Sequence, residues 1–330
     1  MIPRTADWKN ALANAVRDPA ELLALLELPG ELLPAARAAS RAFPLRVPRG
    51  LLERIEKGKP DDPLLRQVLP LGMELEAVPG FDADPVGDRN AAAAPGVLHK
   101  YHGRVLLTAT GACAIHCRYC FRRHFPYAEE NPARNNWQSA IDYLARHPEA
   151  EELILSGGDP LMLDTPELER LHKRLRTLPQ LKRLRLHTRL PVVLPERIDT
   201  ALLDWLRSLP WQTVVVIHAN HANELDGPVL GALTALKETG VTLLNQSVLL
   251  RGVNDEPTAL VQLSERLFEL GVMPYYLHLL DRVAGAAHFE VGEATALALH
   301  QTLRRSLPGY LVPRLVREIE GLPNKQPVTE

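Results

Sequence analysis

The sequence predicts an α/β fold built on a parallel sheet, and three observations predict it. Apolar strand-like runs recur at roughly thirty-residue intervals, helix-period stretches lie between them, and the connections are short. The runs are Val105 to Thr108, Leu153 to Leu155, Leu184 to Leu186, Val214 to Ile217, Leu243 to Leu249 and Pro274 to Leu279. Helical spacing appears near Trp137 to Arg146, Pro166 to Leu178, Asp199 to Ser208, Val229 to Glu238 and Pro257 to Leu270, with a last helix near Glu293 to Ser306. Strands alternating with helices pair in parallel through right-handed crossovers. Periodicity alone does not separate a barrel from an open sheet.

Before this core the texture differs. Trp8, Leu12, Ala15 and Val16, then Leu22 to Leu28 and Leu32 to Ala39, fall at helical spacing. Pro44, Pro48, Pro60, Pro63 and Pro70 then punctuate an irregular arm. Asp82 to Pro95, with Pro85, Gly87 and a run of alanines, reads as a loop or linker. The expected organisation is an N-terminal helical extension over 1–95, a core over 96–312 and a short C-terminal tail over 313–330.

After the first core strand come all three cysteines of the 330-residue chain, Cys113-Ala-Ile-His-Cys117-Arg-Tyr-Cys120. An iron-sulfur cube usually takes four thiolates, one per iron, so three leave one iron open to chelate a ligand. A structural zinc site completed by His116 or His124 and a chance clustering are the alternatives. An odd cysteine count without a secretory signal argues for a reducing compartment rather than a disulfide.

Charge and hydropathy exclude other classes. Lys and Arg number 38 against 40 Asp and Glu, leaving no basic surplus for a nucleic-acid backbone. No apolar stretch of about 18 residues appears, and Met1 to Trp8 lacks a signal-peptide core. The expectation is a soluble, cytoplasmic protein with no nucleic-acid or membrane partner.

The CxxxCxxC spacing followed by Phe121-Arg122-Arg123-His124 resembles the radical S-adenosylmethionine superfamily. That resemblance implies a partial (β/α)6 barrel of the TIM type, with the cysteine loop at the carboxyl end of its first strand, where such folds gather chemistry. It also implies a [4Fe-4S] cluster on Cys113, Cys117 and Cys120, with S-adenosylmethionine bound through its amino and carboxylate groups to the fourth iron.

Blocks along nearly the whole chain are more specific. They include Phe43-Pro44-Leu45-Arg46, Arg66-Gln67-Val68-Leu69-Pro70, Leu98-His99-Lys100-Tyr101, Ser156-Gly157-Gly158-Asp159-Pro160, Thr188-Arg189-Leu190-Pro191 and Asn245-Gln246-Ser247. In this order they resemble the lysine 2,3-aminomutase family. Among its members the short, cysteine-poor pattern is most similar to the aminomutase of the elongation factor P modification pathway, whose (R)-β-lysine a separate ligase attaches to the factor.

The resemblance implies roles residue by residue. Lys325 would hold pyridoxal phosphate, and Lys100, Tyr101 and Arg104 would grip its phosphate, where cations and a hydroxyl suit a dianion. The Gly157-Gly158-Asp159 turn would meet S-adenosylmethionine, and Arg189 and Gln246, at strand ends, would contact either cofactor. His218 and Asn220 occupy a further strand end. Arg122 would pair with the carboxylate of L-lysine, since a planar guanidinium suits it bidentately; Asp281 would bind the distal ammonium, with Glu318 aligned to a second ammonium-binding acid.

Glu318 departs from the aspartate of the catabolic members, and Gly321-Leu322-Pro323-Asn324 replaces their glycine-rich run. The implied partners are lysine, an electron donor such as flavodoxin or ferredoxin, and, through the pathway, elongation factor P and its ligase. Rival readings are an aminomutase for another amino acid, such as glutamate or arginine, and a non-catalytic zinc-binding interaction protein.

Overall fold

The computed structural model of the chain describes residues 7–127 and 136–329; the first six residues of the expected extension and the last of the expected tail lie outside them. Ten strands form one sheet in sequence order: β1 (Ala92–Ala94), β2 (Val97–Tyr101), β3 (Arg104–Thr110), β4 (Glu152–Gly157), β5 (Arg183–Thr188), β6 (Gln212–Ile217), β7 (Thr242–Val248), β8 (Met273–His278), β9 (Arg314–Arg317) and β10 (Gln326–Pro327). Strands β3 to β9 are parallel, neighbour to neighbour. At one edge β1 and β2 are antiparallel, and at the other β10 returns along β9. The two edges do not pair with each other among the described residues, so the sheet is a partial barrel.

The six expected strands are β3 to β8. The edges add to that set: Leu98 to Tyr101 turns at Gly103, with φ +73°, into a hairpin with β3, and the expected tail lies against β8 as β9. Asp82 to Pro95 is likewise more than a linker, because it contains β1.

Alternation along the strands separates two faces. Leu153, Leu155, Leu184, Leu186, Val215, Ile217 and Leu243 are buried in the apolar core. Their neighbours Leu106, Ile154, Ser156, Arg185, His187, Val214, Leu244 and Gln246 line an interior cavity. The outer face is covered by α6 (Gln138–Ala145), α7 (Thr165–Leu175), α8 (Leu190–Val193), α9 (Thr200–Ser208), α10 (Gly227–Lys237), α11 (Pro257–Glu269) and α12 (Glu293–Ser306). Asp164 and Asp199 cap α7 and α9 by accepting backbone N–H groups.

The extension supplies the short helices α1 (Trp8–Ala13), α2 (Pro19–Leu25), α3 (Leu33–Ala42), α4 (Arg49–Leu52) and α5 (Pro63–Arg66). Val16, expected at helical spacing, instead forms an antiparallel bridge with Val47. Its apolar residues, Leu22, Leu26, Leu51, Leu64 and Leu65 among them, are continuous with the core beneath the barrel. Extension and barrel therefore bury their apolar surface together.

Candidate active site

The cysteine loop leaves the carboxyl end of β3 and is pinned from outside by the extension. Buried Glu74 accepts from Arg118 Nε at 2.8 Å and from Arg123 Nη2 at 2.8 Å, and Arg118 donates to the Phe43 carbonyl at 2.9 Å. His116 bonds the Pro44 carbonyl through Nδ1 at 2.8 Å, and His124 reaches the Ala284 carbonyl at 3.1 Å. Both imidazoles are thus engaged by backbone. Among the described residues no three His, Cys, Asp or Glu side chains, the three cysteines included, converge on a single ion position.

Cys113, Cys117 and Cys120 instead line a cavity of about 290 Å³ together with Gly157, Gly158, Asp159, Arg189, His278 and Asp281. A second cavity, of about 760 Å³, is lined by Lys100, Tyr101, Arg104, Tyr275, Tyr276 and Asn324. Arg122, Ser156, His187, His218, Gln246, Glu318 and Lys325 border both. The three thiols and the tail lysine therefore open onto one continuous space.

Arg189 donates to Cys117 Sγ at 2.7 Å, to Gln67 Oε1 at 2.7 Å and to buried Glu224 Oε2 at 2.8 Å. Asn220 extends this network to Gln67 and to the Tyr119 hydroxyl at 3.0 and 2.7 Å. Burial pushes the Cys120 thiol up to about 11 and Cys113 well above its ordinary value, so metal binding there must release protons.

The Gly157-Gly158 turn is shaped by the protein itself. A Cβ on Gly157, whose φ is +118°, would lie 2.4 Å from the Thr110 carbonyl oxygen, and one on Gly158 would lie 2.3 Å from that of Ala112. The glycines are needed because the cysteine loop's backbone lies directly on them. Asp159 accepts from Leu161 N, Thr188 Oγ1 and Arg189 N at 3.0, 2.8 and 2.7 Å, tying β4 to β5; burial nevertheless raises it to about 6.

Across the cavity His187, His218 and His278 are neutral. Burial holds all three below the ordinary imidazole value, His218 at about 4, with nearby cations adding to the effect. His218 Nε2, His278 Nε2 and Gln246 Oε1 are buried without a partner among the described residues. Unpaired polar atoms facing a cavity are what a polar ligand would satisfy.

Charged residues from distant segments meet at the larger cavity. Glu318 lies at 2.9 Å from Lys100 Nζ and 2.8 Å from Lys325 Nζ. Burial would raise this carboxyl, but Lys325 and Lys100 hold it well below the usual range. Lys100 also meets Asp88 at 2.6 Å and the Val86 carbonyl at 2.8 Å, so all its N–H donors are engaged by the protein. Arg104 lies over the Tyr101 ring at 4.7 Å. Arg122 Nε donates to Asp88 Oδ2 at 2.6 Å. Asp281 is pushed up to about 7 by burial.

Sequence reasoning missed Asp88, Glu74, Glu224 and Gln67. Asp88, Glu74 and Glu224 are isolated polar residues outside any such block, and Gln67 lies within Arg66-Gln67-Val68-Leu69-Pro70 with no role read for it; the other signal is the number of arginines awaiting partners in the cysteine loop and at β5.

The family model described as the Radical SAM superfamily matches residues 107–263. The chain is 52% identical over 327 residues to a protein of Escherichia coli (strain K12) named L-lysine 2,3-aminomutase, covering 99% of this chain and 95% of the relative. It is 49% identical to the Haemophilus influenzae protein of that name, over 98% and 96% of the two chains, and 32% identical to that of Clostridium subterminale, over 98% and 77%. Among solved structures, Streptococcus suis SuiB bound to S-adenosylmethionine is similar with a TM-score of 0.50 at 12% identity, covering 70% of this chain and 54% of that one, a likeness of fold alone. No helix of the described residues is long and apolar enough to cross a membrane.

Proposed function

The chain belongs to the lysine 2,3-aminomutase family of radical S-adenosylmethionine enzymes, and from this premise we propose that it is an isomerase converting L-lysine to (R)-β-lysine with pyridoxal phosphate as second cofactor. The observation that carries the coenzyme reading is that Lys325 and the three cysteines border one space. An amine on a short tail and an open-cornered cluster act on one substrate only if both face it.

In this reading Cys113, Cys117 and Cys120 hold a [4Fe-4S] cluster with one iron left for S-adenosylmethionine. The turn at Gly157, Gly158 and Asp159 borders that end of the space, and Arg189, Gln246 and His218 supply polar atoms there. Lys325 carries pyridoxal phosphate. Of the groups expected at its phosphate, Lys100 is already shared between Asp88 and Glu318 and the Tyr101 hydroxyl is bonded to Glu318, so Arg104, lying over the Tyr101 ring, is the better donor. When bound, the reduced cluster with S-adenosylmethionine supplies a carbon-centred radical, and pyridoxal phosphate a π-bond through which an amine can migrate.

The chain's own residues bind and orient the amino acid. Arg122 offers guanidinium N–H groups to the carboxylate, with Ser156 Oγ 3.2 Å from its Nη1. Asp281 takes the distal ammonium: held near 7 by burial, it gives up its proton when a cation arrives, so the site favours a positively charged side chain. Glu318 adds negative charge on the same side, after its present partners Lys100 and Lys325. The neutral imidazoles present no competing cation.

The pathway role follows the same reading: the product is loaded onto elongation factor P by a separate ligase in the cytoplasm, and flavodoxin or ferredoxin provides the electron. The test is anaerobic reconstitution of the cluster, addition of pyridoxal phosphate, S-adenosylmethionine and a reductant, and assay for β-lysine. Absence of amine migration with both cofactors loaded sinks the reading, and competition among lysine, arginine and glutamate checks the specificity.

A further inference from the structure

Asp88 lies in a stretch whose prolines, glycine and alanines read as a linker, yet it is only 2% exposed. Its carboxylate is divided between cations from two different elements: Oδ1 lies 2.6 Å from Lys100 Nζ on β2, and Oδ2 accepts from Arg122 Nε on the cysteine loop at 2.6 Å. Burial would raise it, but Arg122 and Lys100 hold it below the ordinary carboxylate value.

The loop carrying Asp88 is itself built to stay in place. The Asp84 carboxylate accepts the Asp88 and Arg89 N–H groups at 2.8 and 3.0 Å. Gly87, at φ +65°, lies against the Glu320 side chain, where an added Cβ would come within 2.3 Å of it, and Asn90 donates to Glu320 at 2.6 Å. Asp82 exchanges backbone hydrogen bonds with Arg282 and Ala284 at 3.1 and 2.7 Å, beside Asp281. A flexible connection would need none of these contacts.

From this geometry we infer that Asp88 is the positioning residue for the substrate carboxylate, acting through Arg122. An unrestrained guanidinium samples many rotamers, and bidentate recognition requires one plane. By engaging Nε, Asp88 fixes that plane and leaves the Nη groups for the cavity, where Nη1 already meets Ser156. The same carboxylate continues through Lys100 and Glu318 to Lys325, so opposite charges alternate from the carboxylate site to the coenzyme lysine. The inference rests on the reading of Arg122 as the carboxylate's partner.

The test is a double-mutant cycle in the full chain loaded with cluster, S-adenosylmethionine and pyridoxal phosphate, using Asp88→Asn, Arg122→Gln and both together. Lysine Kd by calorimetry, KM, kcat and the coenzyme's visible absorbance are measured. Asp88→Asn is expected to raise the lysine Kd and KM about tenfold with a smaller fall in kcat, to keep the coenzyme absorbance, and to add nothing further in the Arg122→Gln background. Unchanged lysine affinity in Asp88→Asn, or an equal penalty in both backgrounds, overturns the inference. Asp88→Glu keeps the charge while displacing it, so it serves where the asparagine variant does not fold: a raised Kd supports the assignment and an unaltered one refutes it. A wild type that forms no β-lysine refutes the proposed function instead; one that forms it beside an unaffected Asp88→Asn refutes only the role of Asp88.

Discussion

Lys325 Nζ and Glu318 Oε2 meet at 2.8 Å, and the other oxygen of the same carboxylate meets Lys100 Nζ at 2.9 Å. Glu318 follows β9 directly and Lys325 precedes β10, so the hairpin that ends the sheet also delivers an amine to its interior. One carboxylate serves a lysine from each edge of the barrel.

Replacing Glu318 with Gln leaves the Lys325 ammonium without its carboxylate partner in a largely buried setting, while Lys100 keeps Asp88. Chemical denaturation should show a loss of about 3 kcal/mol at neutral pH. Because the folded carboxyl is held below its unfolded value, its contribution is full above about pH 4.3 and declines as the pH falls further. The difference between wild type and variant should therefore narrow below about pH 4; an equal difference at pH 7 and pH 3 contradicts the pairing.

Asp281 has the opposite sign. Its folded value, pushed up to about 7, exceeds the unfolded one, so folding takes up a proton and this residue's contribution weakens as pH rises from about 4 through 7. Asp281→Asn is expected to match or exceed wild-type stability at pH 8 while losing lysine affinity. Calorimetry of lysine binding in buffers of different ionisation enthalpy should detect proton release near pH 6.5 in the wild type and none in the variant.

Lys325→Ala should abolish the visible absorbance of the bound coenzyme while iron and sulfide content stay at wild-type levels. Retention of both cofactors would show that another amine holds the coenzyme.

Gly158→Ala places a methyl 2.3 Å from a backbone oxygen that cannot swing away. The clash must move the cysteine loop or the turn, at a cost of about 1–3 kcal/mol. The expected result is reduced iron loading after reconstitution with the chain still folded; full iron content at wild-type stability would mean the contact between turn and loop is dispensable.

Much of the barrel was legible because β3 to β8 are runs buried against helices, bounded by turn residues and joined by short connections. Arg183-Leu184-Arg185-Leu186-His187-Thr188 even displays its two faces as written, leucines toward the core and Arg185 and His187 toward the cavity. The sheet edges were not legible. Three alanines in β1 carry no strand preference, and β10 is two residues including a proline, so both exist only through their neighbours. Likewise the cysteines announce themselves by spacing, whereas Asp88 and Glu74 act through partners 34 and 44 positions away, a pairing that only the folded chain creates.

The position of Lys325 beyond β9 also has a bearing on biogenesis. During synthesis the thiol loop leaves the ribosome long before Lys325, so a nascent chain presents Cys113, Cys117 and Cys120 while the tail amine is still unmade. The space that the thiols and this amine share is therefore completed only when β9 and β10 take their places at the sheet edge.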